Sequence, residues 1–315
     1  MLYLGYVVLA ALVVILSVKL SGYVDALDKK TNLSGAFIGG VLLAAVTSLP
    51  ELFTSITSVL LLDSHELVQG NVFGSNTFNL TIAGAAVLFA AGAFKEAKLS
   101  KSHITTCLCC LAMYAVCLAG LYTEDYQILS ISWASILIVI IYMINLKLVK
   151  GDDSAENDGE DDLDLTVKQV VVRFVISAVL LVVVSIFLTN VTDRIAEELE
   201  LGKTVAGAIF LGVATSLPEL TSSVNLIRLK NFNASYGNVI GSNLFNFTIL
   251  SFGDILYRSG TIYEPGKSAL LMIIFGIVST VLTAMTLFTK KNVVLTRIVG
   301  FLIVMSYVAS IAMSM

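Results

Sequence analysis

Apolar residues fall along this chain in runs of about twenty, separated by short polar stretches, and a run of that length lets an α-helix cross a hydrocarbon layer about 30 Å thick. Taken in order, the runs predict spans at 2–22, 34–62, 70–93, 103–122, 127–149, 168–190, 203–228, 236–257, 267–289 and 293–313. The expected fold class is an all-α polytopic membrane protein with ten transmembrane helices. Composition agrees, because 57% hydrophobic and 13% charged residues with a mean hydropathy of +0.91 rule out a water-soluble globular domain. The first run has no positive charge ahead of it and matches a run in the second half of the chain. It therefore reads as a structural helix and not a removed signal peptide.

Charge then gives an orientation. Of the 19 Lys and Arg residues, 15 lie in or beside the connections after spans one, three, five, seven and nine, taking Lys147 and Arg173 with the loop between the fifth and sixth, and 4 lie elsewhere. Positive residues accumulate on the cytoplasmic side, so both termini are expected outside and the central loop inside, in a plasma membrane or its prokaryotic equivalent. The stretch "KGDDSAENDGEDDLDLTVK" (150–168) carries eight acids but lacks the alternating ligands and closing Glu of an EF-hand loop, so it is expected to be a solvated tether. Much of the net charge of −4 comes from this loop, and neither a nucleic-acid partner nor an obligatory protein partner is indicated.

The chain also repeats itself. Shifted by 168 positions, "LSGAFIGGVLLAAVTSLPEL" aligns with "LGKTVAGAIFLGVATSLPEL", and one deletion later "GNVFGSNTFN" (70–79) aligns with "GNVIGSNLFN" (237–246). The expected organisation is a first five-helix repeat at 1–150, an acidic cytoplasmic linker at 151–167 and a second five-helix repeat at 168–315. An odd number of helices per half makes the second half enter the membrane from the opposite side. In such inverted repeats, substrates bind near the midplane, where discontinuous helices from both halves meet.

The chemistry concentrates in the repeated strings. Pro50 and Pro218 remove backbone donors inside apolar spans, which predicts helix breaks that offer carbonyl oxygens to a cation. Glu51 and Glu219 are the two acids placed deep within a span, a costly position unless the carboxylate faces a cavity or a partner. Thr47 and Ser48 precede Glu51 by about one helical turn, as Thr215 and Ser216 precede Glu219, so each half is expected to put hydroxyls beside its own carboxylate. Ser75 with Asn79, and Ser242 with Asn246, are spaced four apart and share a helix face. Gly70, Gly74, Gly237 and Gly241 are expected to let their helices approach the broken ones closely. An all-oxygen set of this kind suits a hard cation such as Ca²⁺ or Na⁺.

Other candidates are weaker. Cys107, Cys109, Cys110 and Cys117 all lie on the fourth span and read as small core residues, with a metal-binding "CLCC" as the minor alternative. His65 and His103 sit at helix ends, where surface or capping roles are expected. No HExxH and no nucleophile paired with a base appears, so an intramembrane hydrolase is disfavoured and no enzyme activity is expected. A cation channel could use the same oxygens, but inverted broken helices fit alternating access better.

With its paired TSLPE and GSNxFN strings, the chain resembles the cation/calcium exchanger superfamily, most closely the sodium/calcium exchanger branch with its two alpha repeats. The resemblance implies that Glu51 and Glu219 hold calcium, helped by the backbone carbonyls of Thr47 and Thr215. It implies sodium sites at Ser48, Ser216, Ser75, Ser242, the carbonyls of Ala44 and Gly212, and the same glutamates. Asn79 and Asn246 would line the central position, and the first and sixth helices would slide as a gate without energy from ATP. The implied function is Ca²⁺/Na⁺ antiport with no cofactor, the ions themselves being the substrates; a Ca²⁺/H⁺ antiporter is the alternative. The proton-coupled branch usually carries an acid soon after the GN of the third and eighth helices, and this chain has none there. The potassium-dependent branch typically has Asp where Asn246 stands, which argues against potassium coupling. The first repeat has "AAVTS" where the second has "GVATS", so the two half-sites are not expected to be equivalent.

Overall fold

The computed structural model describes residues 2–123, 126–128, 131–150, 164–199 and 212–314. Its long helices are α1 (Leu2–Lys30), α2 (Gly35–Leu60), α3 (His65–Phe89), α4 (Ser102–Tyr122), α5 (Trp133–Lys150), α6 (Val167–Glu198), α7 (Leu217–Arg228 among the described residues), α8 (Phe232–Leu256), α9 (Lys267–Thr289) and α10 (Val293–Ser314). Among the described residues, eight helices are long and apolar enough to cross a membrane: α1, α2, α3, α4, α6, α8, α9 and α10. The chain is therefore a multi-pass membrane protein. α5 contributes a shorter apolar stretch, Trp133–Val149, and the start of the seventh predicted span lies outside the described residues. Most of the acidic linker lies outside them too. Where the chain is described again, Thr166 caps α6 through a reciprocal bond with Gln169.

Several boundaries differ from the hydropathy pattern, four of them where polar groups find partners. α1 runs on to Lys30 because its last turns, too polar for the apolar window, find protein partners there. Asn231 Nδ2 donates to Asp25 Oδ1 at 2.9 Å and to Asp28 Oδ2 at 2.8 Å, and Lys29 pairs with Asp25 at 2.9 Å. α3 and α8 begin earlier than predicted because a side chain caps each: Ser64 accepts from Leu67 N–H, and Asn231 accepts from Ala234 N–H. The residues just before these caps, Asp63 and Lys230, both have positive φ, 48° and 61°, so the same tight turn recurs at matching places in the two repeats. Finally, residues predicted to open the fifth span pair instead as a small hairpin, Gln127–Ile128 with Ile131–Ser132, and Ser132 N–H donates to Asp254 Oδ2 at 2.8 Å.

The main core lies where α3, α4, α8 and α9 meet, around Phe73, Tyr114, Tyr236 and Phe247. Cys107, Cys110 and Cys117 are buried in it as small core residues, and Cys109 is half-buried. α1 and α6 pack on each other in a second cluster to one side. In the most apolar window of each helix, 78% of residues are buried in α8 and 67% in α3, against 28% in α1 and in α6. The repeated third helices are thus central, and α1 and α6 form an outer pair that faces lipid.

Close backbone approach fixes α2 against α8. A Cβ on Gly39 would stand 2.2 Å from the Ala234 carbonyl oxygen, and one on Gly241 would stand 2.1 Å from that of Gly40, so only glycine fits. Gly237 meets the Ala36 carbonyl similarly, at 2.8 Å. The expected approach through Gly237 and Gly241 is therefore present. No described residue lies within 4 Å of a Cβ at Gly70 or Gly74, and the matching stretch of the seventh span, 203–211, lies outside the described residues. Over Ile38–Leu43, alongside these contacts, α2 widens into a π-helical turn.

Candidate functional site

Both TSLPE strings interrupt a helix at a single residue. Ser48 adopts φ −90°, ψ 4° and Ser216 φ −89°, ψ 9°, after which a new helical segment starts with the proline in its first turn. There the missing proline N–H costs nothing, because first-turn donors have no intrahelical acceptor. The breaks expected from Pro50 and Pro218 thus lie two residues ahead of each proline, and the two halves break alike.

Each segment opens on its glutamate. Glu51 and Glu219 are both fully buried, as are Thr47, Ser48, Thr215, Ser216, Ser75, Ser242, Asn79 and Asn246. The two half-sites meet. Ser48 Oγ donates to Glu219 Oε1 at 2.9 Å, and Ser216 Oγ donates to Glu51 Oε1 at 3.1 Å. Ser75 adds a longer contact to Glu51 Oε1 at 3.5 Å, and Ser216 Oγ also lies 3.4 Å from Ser75 Oγ. The hydroxyls were expected beside the carboxylate of their own helix. The two serine hydroxyls cross to the other repeat instead, because the one-residue break rotates the serine away from the turn that follows it.

Among the described residues, Glu51 Oε2, Glu219 Oε2, Ser242 Oγ, Asn246 Oδ1 and both amide atoms of Asn79 have no hydrogen-bond partner. Leaving a buried polar atom unpaired costs about 1–3 kcal/mol, and more when it carries charge. Glu51 Oε2 and Glu219 Oε2, one from each repeat, are what a desolvated cation needs: acceptor oxygens that no other described group has claimed.

The threonines are differently engaged. Thr47 Oγ1 turns back to Leu43 O at 3.1 Å and Ala44 O at 3.3 Å, with Asn238 Oδ1 at 3.4 Å, and Thr215 Oγ1 donates to Gly212 O at 3.1 Å. The Ala44 and Gly212 carbonyls also accept from Ser48 N–H at 3.1 Å and Ser216 N–H at 3.0 Å. The Gly212 carbonyl thus accepts twice, so ion ligation there requires the Thr215 hydroxyl to turn aside, whereas the Ala44 carbonyl competes with the nearer Leu43 carbonyl for the single Thr47 hydroxyl proton.

The repeated strings contain further site residues that spacing alone did not single out. Asn71 Nδ2 donates to the Glu51 backbone carbonyl at 2.9 Å and to Ser55 Oγ at 2.8 Å, and its counterpart Asn238 donates to Ser223 Oγ at 3.0 Å. These amides pin the glutamate-bearing segments of α2 and α7 to α3 and α8. The signal was present, since Asn follows Gly in both GNV strings, but no interval within one helix pairs it with the glutamate. Asn246 Nδ2 donates to Asn76 Oδ1, and Asn243 Nδ2 to the Asn76 carbonyl, both at 3.0 Å, which joins α3 to α8.

The histidines lie outside this centre. His65 stands 3.5 Å from Glu264. His103, expected at the surface or as a cap, is 2% exposed, with Nε2 2.8 Å from Asn233 Oδ1. Asn233 also accepts from Ser100 N–H at 2.9 Å, so His103 belongs to a buried polar contact between the start of α4 and α8.

This arrangement has relatives. The inner membrane protein YrbG of Escherichia coli (strain K12) is 27% identical over 253 residues, covering 75% of either chain. CaxA of Alkalimonas amylolytica, provisionally designated an antiporter, is 26% identical over 241 residues, covering 74% of this chain and 73% of its own. The fold matches that of the sodium-calcium exchanger NCX_Mj soaked with 10 mM Na⁺ and zero Ca²⁺, with a TM-score of 0.77 at 21% identity over 99% of both chains. Against the same exchanger with zero Na⁺ and Ca²⁺ the TM-score is 0.72. The family model for sodium/calcium exchanger proteins matches residues 1–149 and 169–315, nearly the whole of the sequence on either side of the acidic linker. The chain therefore belongs to the sodium/calcium exchanger protein family.

Proposed function

We propose that this protein is a secondary antiporter that exchanges Ca²⁺ for Na⁺ across the cell membrane by alternating access. The observation that carries the proposal is the reciprocal contact of Ser48 with Glu219 and Ser216 with Glu51, which builds one oxygen cluster from both repeats. Two carboxylates neutralise one Ca²⁺, and the hydroxyls and amides around them complete a hard-cation ligand set. Na⁺ ions that occupy overlapping oxygens displace Ca²⁺ by competition. With neither ion bound, two buried carboxylates stand uncompensated, which disfavours an uncoupled return of the carrier.

In this mechanism Glu51 and Glu219 hold Ca²⁺ with the carbonyls of Thr47 and Thr215. Na⁺ draws on Ser48, Ser75, Ser216, Ser242, the Ala44 and Gly212 carbonyls and the same glutamates, while Asn79 and Asn246 line the centre. Ten spans form two inverted five-helix repeats, with both termini extracellular and the linker cytoplasmic. The outer pair α1 and α6, buried far less than α3 and α8, supplies the element that slides. The family membership, the NCX_Mj fold and the provisional designation of CaxA as an antiporter all support exchange over enzyme chemistry.

A buried carboxylate can also exchange a proton for a metal, so the test runs three gradients in parallel. Purified protein in liposomes loaded with Na⁺, and placed in Na⁺-free buffer, is expected to take up Ca²⁺. Uptake indifferent to the Na⁺ gradient but driven by a pH gradient alone would establish proton coupling instead, and a K⁺ gradient is expected to drive none.

A further inference from the structure

The two central asparagines are not held alike. Asn246 has its amide nitrogen committed to Asn76 Oδ1 at 3.0 Å, and its Oδ1 has no partner among the described residues. Asn79, its counterpart in the first repeat, has neither amide atom bonded among them. Asn76 is fully buried on α3 and accepts at its backbone carbonyl from Asn243 Nδ2 at 3.0 Å, while its own Nδ2 has no partner among the described residues. A side-chain amide can rotate by half a turn and exchange its oxygen for its NH₂ at almost no steric cost, but the two ends act oppositely on a cation. An NH₂ group facing the centre repels the ion that the oxygen would bind.

We propose that Asn76 is a positioning residue that orients the Asn246 amide, holding its NH₂ outward so that Oδ1 faces the ion site. The inference rests on the exchange function proposed above and assigns Asn76 no contact with the ion. A flipped Asn246 would set its oxygen against Asn76 Oδ1, two acceptors with no proton between them, so Asn246 does not flip alone and a bond is restored only if the Asn76 amide turns with it. The amide thereby serves as a neutral oxygen ligand on the α8 side whose sense is tied to that of Asn76, while Asn79 on the α3 side carries no such tie among the described residues.

A carboxylate offers oxygen in both directions and needs no such orientation, which separates positioning from a structural role. Na⁺-driven Ca²⁺ uptake into liposomes is measured for Asn76→Ala in the native and in the Asn246→Asp background, with isosteric Asn76→Leu in its place if the alanine variant does not fold. In the native background, loss of the orienting hydrogen bond is expected to weaken apparent Na⁺ affinity about tenfold. In the Asn246→Asp background the same substitution is expected to change it less than about twofold. Equal losses in both backgrounds would overturn the proposal, because Asn76 would then act on the helix and not through the amide. Wild-type liposomes that show no Na⁺-driven uptake would overturn the exchange function and this inference with it.

Discussion

Ser48 Oγ donates to Glu219 Oε1 at 2.9 Å across 171 residues of sequence, and Ser216 Oγ returns the contact to Glu51 at 3.1 Å. Each repeat therefore solvates the other's charge. Hydrogen bonds to a charged group contribute about 1.5–3 kcal/mol. Ser48→Ala and Ser216→Ala are each expected to weaken apparent ion affinity by roughly ten- to a hundredfold. Ser75→Ala, which removes two long contacts, 3.5 Å to Glu51 and 3.4 Å to Ser216, is expected to cost less. Isothermal titration of Ca²⁺ into the purified variants measures the order; a larger loss at Ser75 than at Ser48 would contradict the geometry.

The α2–α8 crossing makes a prediction about folding. A methyl at Gly241 would meet the Gly40 carbonyl at 2.1 Å, and backbone cannot step aside without moving both helices. A methyl at Gly276 would meet the Tyr114 hydroxyl at 2.2 Å, the tip of a buried side chain and not backbone. Overpacking of this kind typically costs about 1–3 kcal/mol. Thermal unfolding in detergent is expected to show Gly241→Ala clearly below wild type and Gly276→Ala between the two.

Asn231 does two separable things. Its oxygen caps α8 and its NH₂ bridges Asp25 and Asp28 on α1. Asp is as good a cap as Asn, so Asn231→Asp keeps the first role and replaces the bridge by a third carboxylate. That variant is expected to be less stable than Asn231→Ser, which keeps a cap and adds no charge. Equal unfolding temperatures for the two would mean that a third carboxylate beside Asp25 and Asp28 costs nothing.

Much of this was legible in the sequence, because a bilayer forces apolar runs and makes a buried acid conspicuous. The spans at 267–289 and 293–313 end within one residue of α9 and α10, and the duplicated strings led to the glutamates before any coordinates. What spacing did not reveal is how the halves interlock. The helical interval from Ser48 to Glu51 places them on one face, yet the break at Ser48 sends its hydroxyl to Glu219, a contact that intervals within one helix cannot encode. Asn71, Asn238 and Asn76 were missed for the same reason: their partners lie on another helix. The turns at Asp63 and Lys230 lie outside the apolar runs, where hydropathy has nothing to count, and the hairpin at Gln127–Ser132 lies at the start of one, where hydropathy does not tell strand from helix.

The most direct test of the account is Ca²⁺ uptake into Na⁺-loaded proteoliposomes by Glu51→Gln and Glu219→Gln beside the wild type. Glutamine keeps the size and an oxygen but removes the charge that balances Ca²⁺. The account predicts normal expression with uptake no higher than in protein-free liposomes for either variant. Uptake at the wild-type rate in both would contradict it.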